Sequence, residues 1–351
     1  MLQVRAVDFD ADKSQLLEIL QRNLPDLPHA QRFDWIYRRN AAGPAWAWFV
    51  VDSASKKAVA AASVFSRAIW IDNTVKLCGQ VGDFAVDAPY RSLGPALILQ
   101  KATFQPVDEG QLVFCYDCPP HDRGMSTFRR LGMEPNTEIH RYTRLLRLEK
   151  WLGKKSGSSA VAAIGGAAAN PLLRVASSGP RSKAADGKYE LNYFEDRFGE
   201  EFSLLDKQVP STDTIRSRRG AENLNWRYRD DPLHQYQVIT ARRNGALEAF
   251  IILLKSDDEV YVVDLFGSDL DKSGPALIDA AAYHQRKQKI QAFHAFSPPG
   301  TPMSATLEKA GFRQREASAR VVAYTKPGSE TNLLLRRDTL KWSFTRADLM
   351  V

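Results

Sequence analysis

The stretch "VDAPYRSLGPALILQK", residues 86–101, joins a strand-like apolar run to a helix-like run. The first backbone N–H groups of a helix lack partners within the helix, so a turn at this point attracts anions. Gly94 lets the backbone approach a ligand closely, Pro95 suits the first helical turn, and Arg91 adds a forked cation. Ala96 leaves that turn uncrowded. The sequence therefore predicts an anion-binding turn.

The same five letters "GPALI" recur at residues 274–278, and there Asp271 stands at the position of the arginine. Other segments match around the two copies in the same order along the chain, as expected for an internal repeat. The matched pairs are "DWIYRRNAAGP" (34–44) with "NWRYRDDP" (225–232), "KLCGQVGDFAV" (76–86) with "DEVYVVDLFG" (258–267), and "MSTFRRLGM" (125–133) with "MSATLEKAGF" (303–312). Each half predicts the order helix, strand, strand, strand, loop, helix, strand, helix, strand, which is a mixed α/β pattern.

Length and composition limit the number of domains and the class of protein. A chain of 351 residues that is 44% hydrophobic is long enough for two domains of ordinary size. The segment 151–187 is rich in Gly, Ala and Ser and predicts a flexible linker between a domain at 1–150 and a domain at 188–351. The N-terminus has no apolar leader, and no apolar run approaches the roughly 20 residues of a membrane span. We expect a cytoplasmic protein without an integral membrane segment.

The net charge of +7 favours an anionic partner without choosing its class. Basic residues stand in short groups such as 216–219, which are typical of solvated faces, and no aromatic stripe for stacking bases accompanies them. We therefore expect no nucleic-acid binding. Cys115-x-x-Cys118 with His121 lacks a fourth ligand, so we expect no metal site and reduced cysteines. The oligomeric state stays open.

The residues "RSLGPA" (91–96) match the Arg/Gln-x-x-Gly-x-Gly/Ala loop of the GCN5-related N-acetyltransferase (GNAT) superfamily. The longer stretch "FAVDAPYRSLGPAL" (84–97) resembles the motif that surrounds the acyl-CoA pyrophosphate in that family, and "FRRLGM" (128–133) is similar to its late Tyr-x-x-x-Gly-Phe segment. The resemblance implies two tandem GNAT-like domains, each a mixed sheet flanked by helices. The first would have the intact acyl-CoA loop, and the second would be degenerate.

The resemblance also implies an activity. We expect an acyl-CoA-dependent N-acyltransferase, with acetyl-CoA first among the acyl-CoA co-substrates and no metal. The acceptor would be a small-molecule amine, with an amino sugar as one class. The segment "NLNWRYRDDPLHQYQVI" (223–239) resembles bacterial tandem members encoded among exopolysaccharide genes, which suggests a role in polysaccharide or cell-surface biosynthesis.

In this family the cofactor lies in a cleft between the fourth and fifth strands, with the amides of the loop on its pyrophosphate. Carried onto this sequence, the resemblance predicts the following cofactor-binding residues: Phe84, Ala85, Val86, Arg91, Ser92, Leu93, Gly94, Pro95 and Ala96. At Asp271 a carboxylate would face the pyrophosphate, which is unfavourable, so we expect the second loop not to bind CoA.

The catalytic residues are less determined. Asp83 lies in the fourth strand and is the candidate general base. The usual phenolic acid of the family falls on Phe128 in the first half and Leu307 in the second, and neither can donate a proton. Tyr116, beside Asp117 at the end of the fifth strand, is the candidate replacement.

Trp226, Arg227 and Tyr228 either line an acceptor site between the halves or form a packing joint. Two other functions stay open. One is a non-catalytic CoA-binding or regulatory protein with the same fold, which the residues Phe128 and Asp271 would permit. The other is a Fem-type aminoacyl transferase, which also duplicates this fold but takes its amino acid from a charged tRNA; the intact Arg91 loop argues against it.

Overall fold

The structure is a computed structural model that describes residues 1–91, 93–119, 122–147 and 189–349. The predicted linker at 151–187 and the predicted cofactor ligand Ser92 lie outside the described residues. So does His121.

The first half contains a strand-rich unit with helices before and between its later strands. Its elements are β1 (Leu2–Ala6), α1 (Lys13–Asn23), α2 (His29–Phe33), β2 (Trp46–Asp52), β3 (Lys57–Ile71), β4 (Thr74–Val86), α3 (Leu93–Ala102), α4 (Gln105–Asp108), β5 (Cys115–Asp117), α5 (Asp122–Arg130) and β6 (Thr137–Leu145). A π-helical turn, Asp34–Arg38, continues α2, and a 3-10 turn, Ala88–Tyr90, precedes α3.

The second half repeats this order and then adds a C-terminal extension. Its elements are β7 (Glu190–Tyr193), α6 (Glu200–Gln208), β8 (Thr214–Ser217), α7 (Ala221–Tyr228), β9 (Tyr236–Arg243), β10 (Ala246–Ser256), β11 (Glu259–Gly267), α8 (Leu270–Lys287), β12 (Ala292–Ser297), α9 (Pro302–Lys309), β13 (Arg313–Tyr324), α10 (Glu330–Leu335), β14 (Lys341–Trp342) and α11 (Arg346–Leu349). The series of three strands, helix, strand, helix, strand predicted for each half is present in both.

The apolar patterns explain the central strands. In β3 the buried residues run almost without a break from Ala58 to Ile71, as expected for a strand that is covered on both faces. Helix α9 begins at a capping box, because the Thr301 side chain accepts from the N–H of Ser304 and the Ser304 side chain accepts from the N–H of Thr301. Pro302 follows at the first helical position.

The two halves exchange their last strands. Within the described residues one sheet runs in the order β1-β2-β3-β4-β5-β13-β6-β12-β11-β10-β9-β7, and β8 and β14 extend it beside β3. Strand β6 of the first half pairs with β12 of the second, and β13 of the second half pairs with β5 of the first. Strands β6 and β13 also pair antiparallel with each other. The halves therefore form one continuous sheet with an approximate two-fold relation at its centre.

A pair of tryptophans lies on the same two-fold relation. Trp35 Nε1 donates to the carbonyl oxygen of Trp226 at 2.7 Å, and Trp226 Nε1 donates to that of Trp35 at 3.1 Å. Their rings stack with centroids 5.1 Å apart. Because the two residues occupy matching positions in the internal repeat, the contact is reciprocal. Trp226 is thus part of the packing joint between the halves.

Helices cover the sheet and complete separate clusters of buried side chains. In the first half α1 and α2 pack on β2 and β3 through Leu16, Phe33, Phe49 and Phe65. In the second half α8 and α9 pack on β11 and β12, and Leu277 and Leu307 lie in that cluster. Among the described residues, none of the helices is long and apolar enough to cross a membrane.

Candidate functional site

Strand β4 carries a bulge next to its predicted functional end. Ala61 faces Ala85 and Ser63 faces Gly82, so Asp83 and Phe84 together oppose one residue of β3. Asp83 has a left-handed φ of 49°, which costs energy for a residue other than glycine and is common at bulges near functional sites. The bulge turns the last residues of β4, from Phe84 to Val86, relative to the rest of the strand.

The Asp83 carboxylate holds this bulge from inside. One oxygen forms an ion pair with Arg32, and the other accepts from Tyr37 Oη at 2.6 Å. The Asp83 and Arg32 side chains are each only 2% exposed. Burial, and then the neighbouring Asp83 carboxylate, raise the pKa of Tyr37 far above its ordinary value, so this phenol stays protonated. Asp83 is therefore engaged on both oxygens, and its role as general base stays a prediction.

The fourth and fifth strands part just before this bulge. Their parallel pairing joins Gly79 to Cys115 and Gln80 to Tyr116, and the later residues of β4 leave β5. Phe84 and Val86 are half-buried at the parting, whereas Ala85 points into the core. The family resemblance predicts that the cofactor lies in a cleft at this position.

The loop after β4 is anchored to α1. Asp87 accepts from Arg22 Nε at 2.7 Å and from Asn23 Nδ2 at 2.7 Å. Burial raises the pKa of Asp87, but these hydrogen bonds outweigh it and hold the pKa below its ordinary value. Arg91 is exposed, and it donates to the carbonyl of Val86 at 3.0 Å and to Asn23 Oδ1 at 3.1 Å. The anchored loop thus presents the Arg91 guanidinium at the protein surface.

The start of α3 has room for a ligand. The helix begins at Leu93, and a Cβ placed on Gly94 would meet no atom within 4 Å. Gly94 is exposed, Ala96 is half-buried, and Pro95 is buried. Arg91 and Gly94 therefore lie together at an exposed helix start, where N–H groups without intrahelical partners are expected.

The matching loop in the second half is closed. Two residues separate β11 from α8, whereas six residues separate β4 from α3. Asp271 lies in the first helical turn and forms an ion pair with Lys309 of α9. A Cβ on Gly274 would overlap Thr306 Cγ2. Here the glycine permits close packing of two helices, and the loop that would surround a pyrophosphate is missing.

At the end of β5, neighbouring residues have different environments. Tyr116 is buried and donates to the carbonyl oxygen of Asp348 at 3.2 Å, and burial raises its pKa far above its ordinary value. The Asp117 side chain is half-buried, and burial raises its pKa to about 6. Its Oδ1 accepts from the N–H of Cys118 at 2.6 Å. Asp117 is the last residue of β5, beyond the point where the two strands part.

The three cysteines lie in or beside the strands β4 and β5. Cys78, Cys115 and Cys118 are free thiols, and burial raises the pKa of each. Among the described residues no three His, Cys, Asp or Glu side chains are placed to hold a metal ion.

A cavity of about 50 Å³ lies between the halves. Arg67 of β3 and Trp226, Arg227 and Tyr228 of α7 line it together with Asp348. Burial lowers the pKa of Arg67, and the charge of Arg227 lowers it further. A cavity needs roughly 10–15 Å³ of this kind of volume to hold one water, so this one has room for a small polar group. Trp226, Arg227 and Tyr228 therefore line a cavity between the halves, and Trp226 also packs at the joint.

No protein-family model matches the chain, and no curated protein matches it by sequence. Solved structures do match it. A probable N-acyltransferase from Enterococcus faecalis, a conserved protein of unknown function, superimposes with a TM-score of 0.65 at 11% identity over 93% of this chain and 73% of that one. A GCN5-related N-acetyltransferase from Anabaena variabilis gives 0.65 at 12% identity over the same shares. The chain has the GNAT fold.

A third match is N-myristoyltransferase of Saccharomyces cerevisiae with bound myristoyl-CoA, at a TM-score of 0.55, 11% identity, and coverage of 92% of this chain and 82% of that one. These likenesses confirm the predicted mixed α/β fold class and the predicted GNAT-like fold. Both positions that correspond to the usual phenolic acid of a GNAT domain, Phe128 and Leu307, are buried in apolar clusters.

Sequence reasoning missed the buried charges of the second half. The basic group at 216–219, expected on a solvated face, has Arg216 and Arg219 buried, because each pairs with a buried aspartate. Arg219 Nε donates to Asp264 Oδ2 at 2.9 Å. Tyr228 donates to the same oxygen at 3.5 Å. Asp264 repeats the environment of Asp83, and the alignment of "VGDFAV" with "VVDLFG" already contained that signal.

Proposed function

We propose that this protein is an acyl-CoA-dependent N-acyltransferase that binds the cofactor on its first half. The observation that carries the proposal is the open loop: exposed Arg91 and unobstructed Gly94 stand at the start of α3, beside strands that part. Backbone N–H groups at a helix start and a guanidinium suit a pyrophosphate. The GNAT fold supports an acyltransferase, and the N-terminal half is the one with room at this loop.

For the acceptor we propose a small-molecule amine that reaches the cavity between the halves. Arg67 and Arg227 line that cavity, and two guanidiniums favour an oxygen-bearing group of the acceptor. The cavity suits one hydroxyl or carbonyl substituent of the acceptor, such as an amino sugar carries. A place in bacterial polysaccharide or cell-surface biosynthesis belongs to the same proposal.

The general base we propose is Asp117. Attack on a thioester requires a deprotonated amine, and a carboxylate with a pKa near the working pH is an efficient acceptor of that proton. The pKa of Asp117 is about 6, and the residue ends β5 at the parted strands. Asp83 would act as a positioning residue, because its ion pair with Arg32 fixes the bulge of β4.

Release of free CoA thiol measures the proposed activity. The purified protein is incubated with acetyl-CoA and a panel of amines that includes 2-amino sugars, and thiol release is compared with and without each amine. We expect amine-dependent release with at least one acceptor and an N-acetylated product of the expected mass. Tight binding of acetyl-CoA without release for any amine in the panel would contradict catalysis.

A second candidate function is a non-catalytic CoA-binding or regulatory protein. The observation that favours it is the enclosure of both predicted catalytic side chains: Asp83 lies in a buried ion pair, and Tyr116 is buried beneath Asp348. The experiment above separates the two functions, because this candidate predicts binding at the Arg91 loop and no acceptor-dependent thiol release.

A further inference from the structure

The cavity between the halves carries more positive than negative charge. Its charged lining consists of Arg67, Arg218, Arg219, Arg227, Asp264 and Asp348. Arg219 forms a buried ion pair with Asp264, in which both side chains are only 4% exposed. Asp348 is held by neutral donors, because its Oδ1 accepts from Ser217 Oγ and its Oδ2 accepts from the backbone N–H of Thr345 at 2.7 Å. Apart from the pair of Arg219 and Asp264, three arginines and one carboxylate therefore line the cavity.

Two of these three arginines donate to neutral acceptors. Arg67 donates through Nε and Nη2 to Gln80 Oε1, at 2.9 Å and 2.6 Å. Arg227 donates through Nη2 to the carbonyl oxygen of Ala347 at 2.8 Å. Burial, and then the charge of Arg227, lower the pKa of Arg67, so the two guanidiniums repel each other. An anion in the cavity that both of them line would reduce this repulsion.

The third arginine, Arg218, presents a guanidinium to the same cavity. Within the part of the chain that the structure describes, its side chain forms no hydrogen bond and no ion pair. Its backbone N–H donates to the carbonyl oxygen of Ala68 in β3 at 2.9 Å, which fixes Arg218 where the two halves meet. Arg218 is half-buried, as are Ala42 and Asn223 in the same lining. This wall of the cavity is therefore accessible from the surface.

The size of the cavity favours a carboxylate over a phosphate. Its volume of about 50 Å³ exceeds the roughly 10–15 Å³ that one water needs, and it suits the smaller of the two anions better. The planar fork of a guanidinium also matches the two oxygens of a carboxylate. The charge and the size of the cavity thus point to the same group.

The cavity lies beside the parted strands. The carbonyl oxygen of Asp348 accepts from Gln80 Nε2 at 3.0 Å and from Tyr116 Oη at 3.2 Å. Gln80 and Tyr116 are the last parallel pair of β4 and β5 before these strands part. A group held in the cavity is therefore next to the place where the acyl group of the cofactor is proposed to lie.

We propose that the cavity between the halves binds a carboxylate group of the acceptor, with Arg218 as its ligand and Arg67 and Arg227 as further positive charge. This inference rests on the acyltransferase function proposed above. It narrows the acceptor to an amine that also carries a carboxylate, such as an amino-sugar acid or an amino acid.

Matched acceptors test the carboxylate in the thiol-release assay. One pair is 2-amino-2-deoxyglucuronic acid and glucosamine, and the other is γ-aminobutyrate and its amide; within each pair the amine is kept and the carboxylate is replaced by a neutral group. We expect kcat/KM to be at least tenfold higher for the carboxylate member of a reactive pair, with the difference in KM. Equal or faster reaction of the neutral member would overturn the proposal. Faster reaction of glucosamine 6-phosphate than of the glucuronic acid would assign the cavity to a phosphate instead.

Three variants locate the carboxylate. Arg218→Gln removes the charge of a half-buried side chain without an ion pair, so the protein should fold. It should raise KM for the carboxylate acceptor at least tenfold and leave KM for the neutral partner unchanged, whereas Arg218→Lys should retain more of the affinity. Arg313→Gln makes the same change of net charge at an exposed residue of β13 and should behave as the unmodified protein does. Equal effects of Arg218→Gln and Arg313→Gln on KM would refute a specific site.

Calorimetric titration with both members of each pair separates this inference from the proposed function. If no amine releases CoA thiol, the acyltransferase proposal fails, but binding of a carboxylate member that is at least tenfold weaker in Arg218→Gln would still support the anion site. If thiol is released and the charged and neutral members bind equally, the acyltransferase proposal stands and the anion site is wrong.

Discussion

The two copies of "GPALI" lie near the starts of matching helices, at the second residue of α3 and the fifth residue of α8, and differ in what surrounds them. At residues 94–98 the glycine is open, six residues separate strand from helix, and Arg91 stands exposed in the loop. At residues 274–278 the glycine is packed against Thr306, and the helix has absorbed the loop. The comparison teaches that the shared glycine and proline fit a helix start in the first half and a helix interior packed on another helix in the second, whereas the longer loop and the exposed Arg91 belong to the first half alone.

The same asymmetry extends to the fifth strand. Gln80 pairs with Tyr116, and the matching Tyr261 pairs with His294. The next residues are Asp117 in the first half and Ala295 in the second. The first half therefore has the carboxyl of Asp117 and the exposed guanidinium of Arg91. At the matching positions the second half has Ala295 and Asp271.

The largest effect should come from Asp117. If it is the general base, Asp117→Asn should lower kcat by about 10²–10⁴-fold with little change in acetyl-CoA affinity. In the unmodified protein, kcat should rise as the pH increases through about 6, because the carboxyl must lose its proton to act. The measurement is a pH profile of thiol release from pH 5 to 9. A profile that is flat across pH 6 in both proteins would remove Asp117 from the reaction.

The next effect concerns Asp83 and Asp264, the two buried aspartates at matching positions of the internal repeat. Asp83→Asn leaves Arg32 buried without its counter-charge, and Asp264→Asn does the same to Arg219. Each should lower the free energy of unfolding by about 3–5 kcal/mol, measured by urea denaturation. A loss below about 1 kcal/mol at Asp83 alone would show that the two sites differ, and would favour Asp83 as a base over a positioning residue.

The two glycines should respond in opposite directions. Gly274→Ala forces a methyl group against Thr306 Cγ2 and should destabilise the protein by about 1–3 kcal/mol. Gly94→Ala meets no atom and should stabilise the helix by about 0.5–1 kcal/mol, while weakening acetyl-CoA binding.

Thermal unfolding measures both, and Thr306→Ser, which removes Cγ2, is the matched control for the first. The double variant Gly274→Ala/Thr306→Ser should lose less stability relative to Thr306→Ser than Gly274→Ala loses relative to the unmodified protein. If the two losses are equal, the packing explanation is wrong.

The smallest effect is at the anchor of the first loop. The lowered pKa of Asp87 means that its contribution is present above the ordinary aspartate value of about 3.9 and is lost as the pH falls through its lowered pKa. Asp87→Asn should therefore cost at most about 1 kcal/mol at pH 7, and less as the pH approaches 3. Unfolding free energies of the two proteins at pH 3 and pH 7 check this. A larger difference at pH 3 would reverse the assigned sign.

Local patterns predicted the order of elements and the turn between β4 and α3. Short windows of sequence contain the apolar patterns and the positions of proline and glycine. With the internal repeat, they were enough to predict the elements of each half and the surroundings of Arg91. The internal repeat was also sufficient to match Asp83 with Asp264.

Long-range pairing could not be predicted in the same way. The exchange of β6 and β13 depends on contacts between residues almost 180 positions apart, such as His140 with Ala317, and no local pattern encodes a partner. The pair of Arg216 and Asp206 is only ten residues apart in sequence, but its burial depends on how α6 and β8 pack, so the sequence did not separate it from a solvated basic group.

The most direct test of the central claim is calorimetric titration with acetyl-CoA of the unmodified protein, Arg91→Ala and Asp271→Ala. Our account predicts one site per chain, a loss of about 10- to 100-fold in affinity for Arg91→Ala, as expected for charged hydrogen bonds of about 1.5–3 kcal/mol, and unchanged affinity for Asp271→Ala. Unchanged binding in Arg91→Ala together with altered binding in Asp271→Ala would place the cofactor on the second half and contradict it.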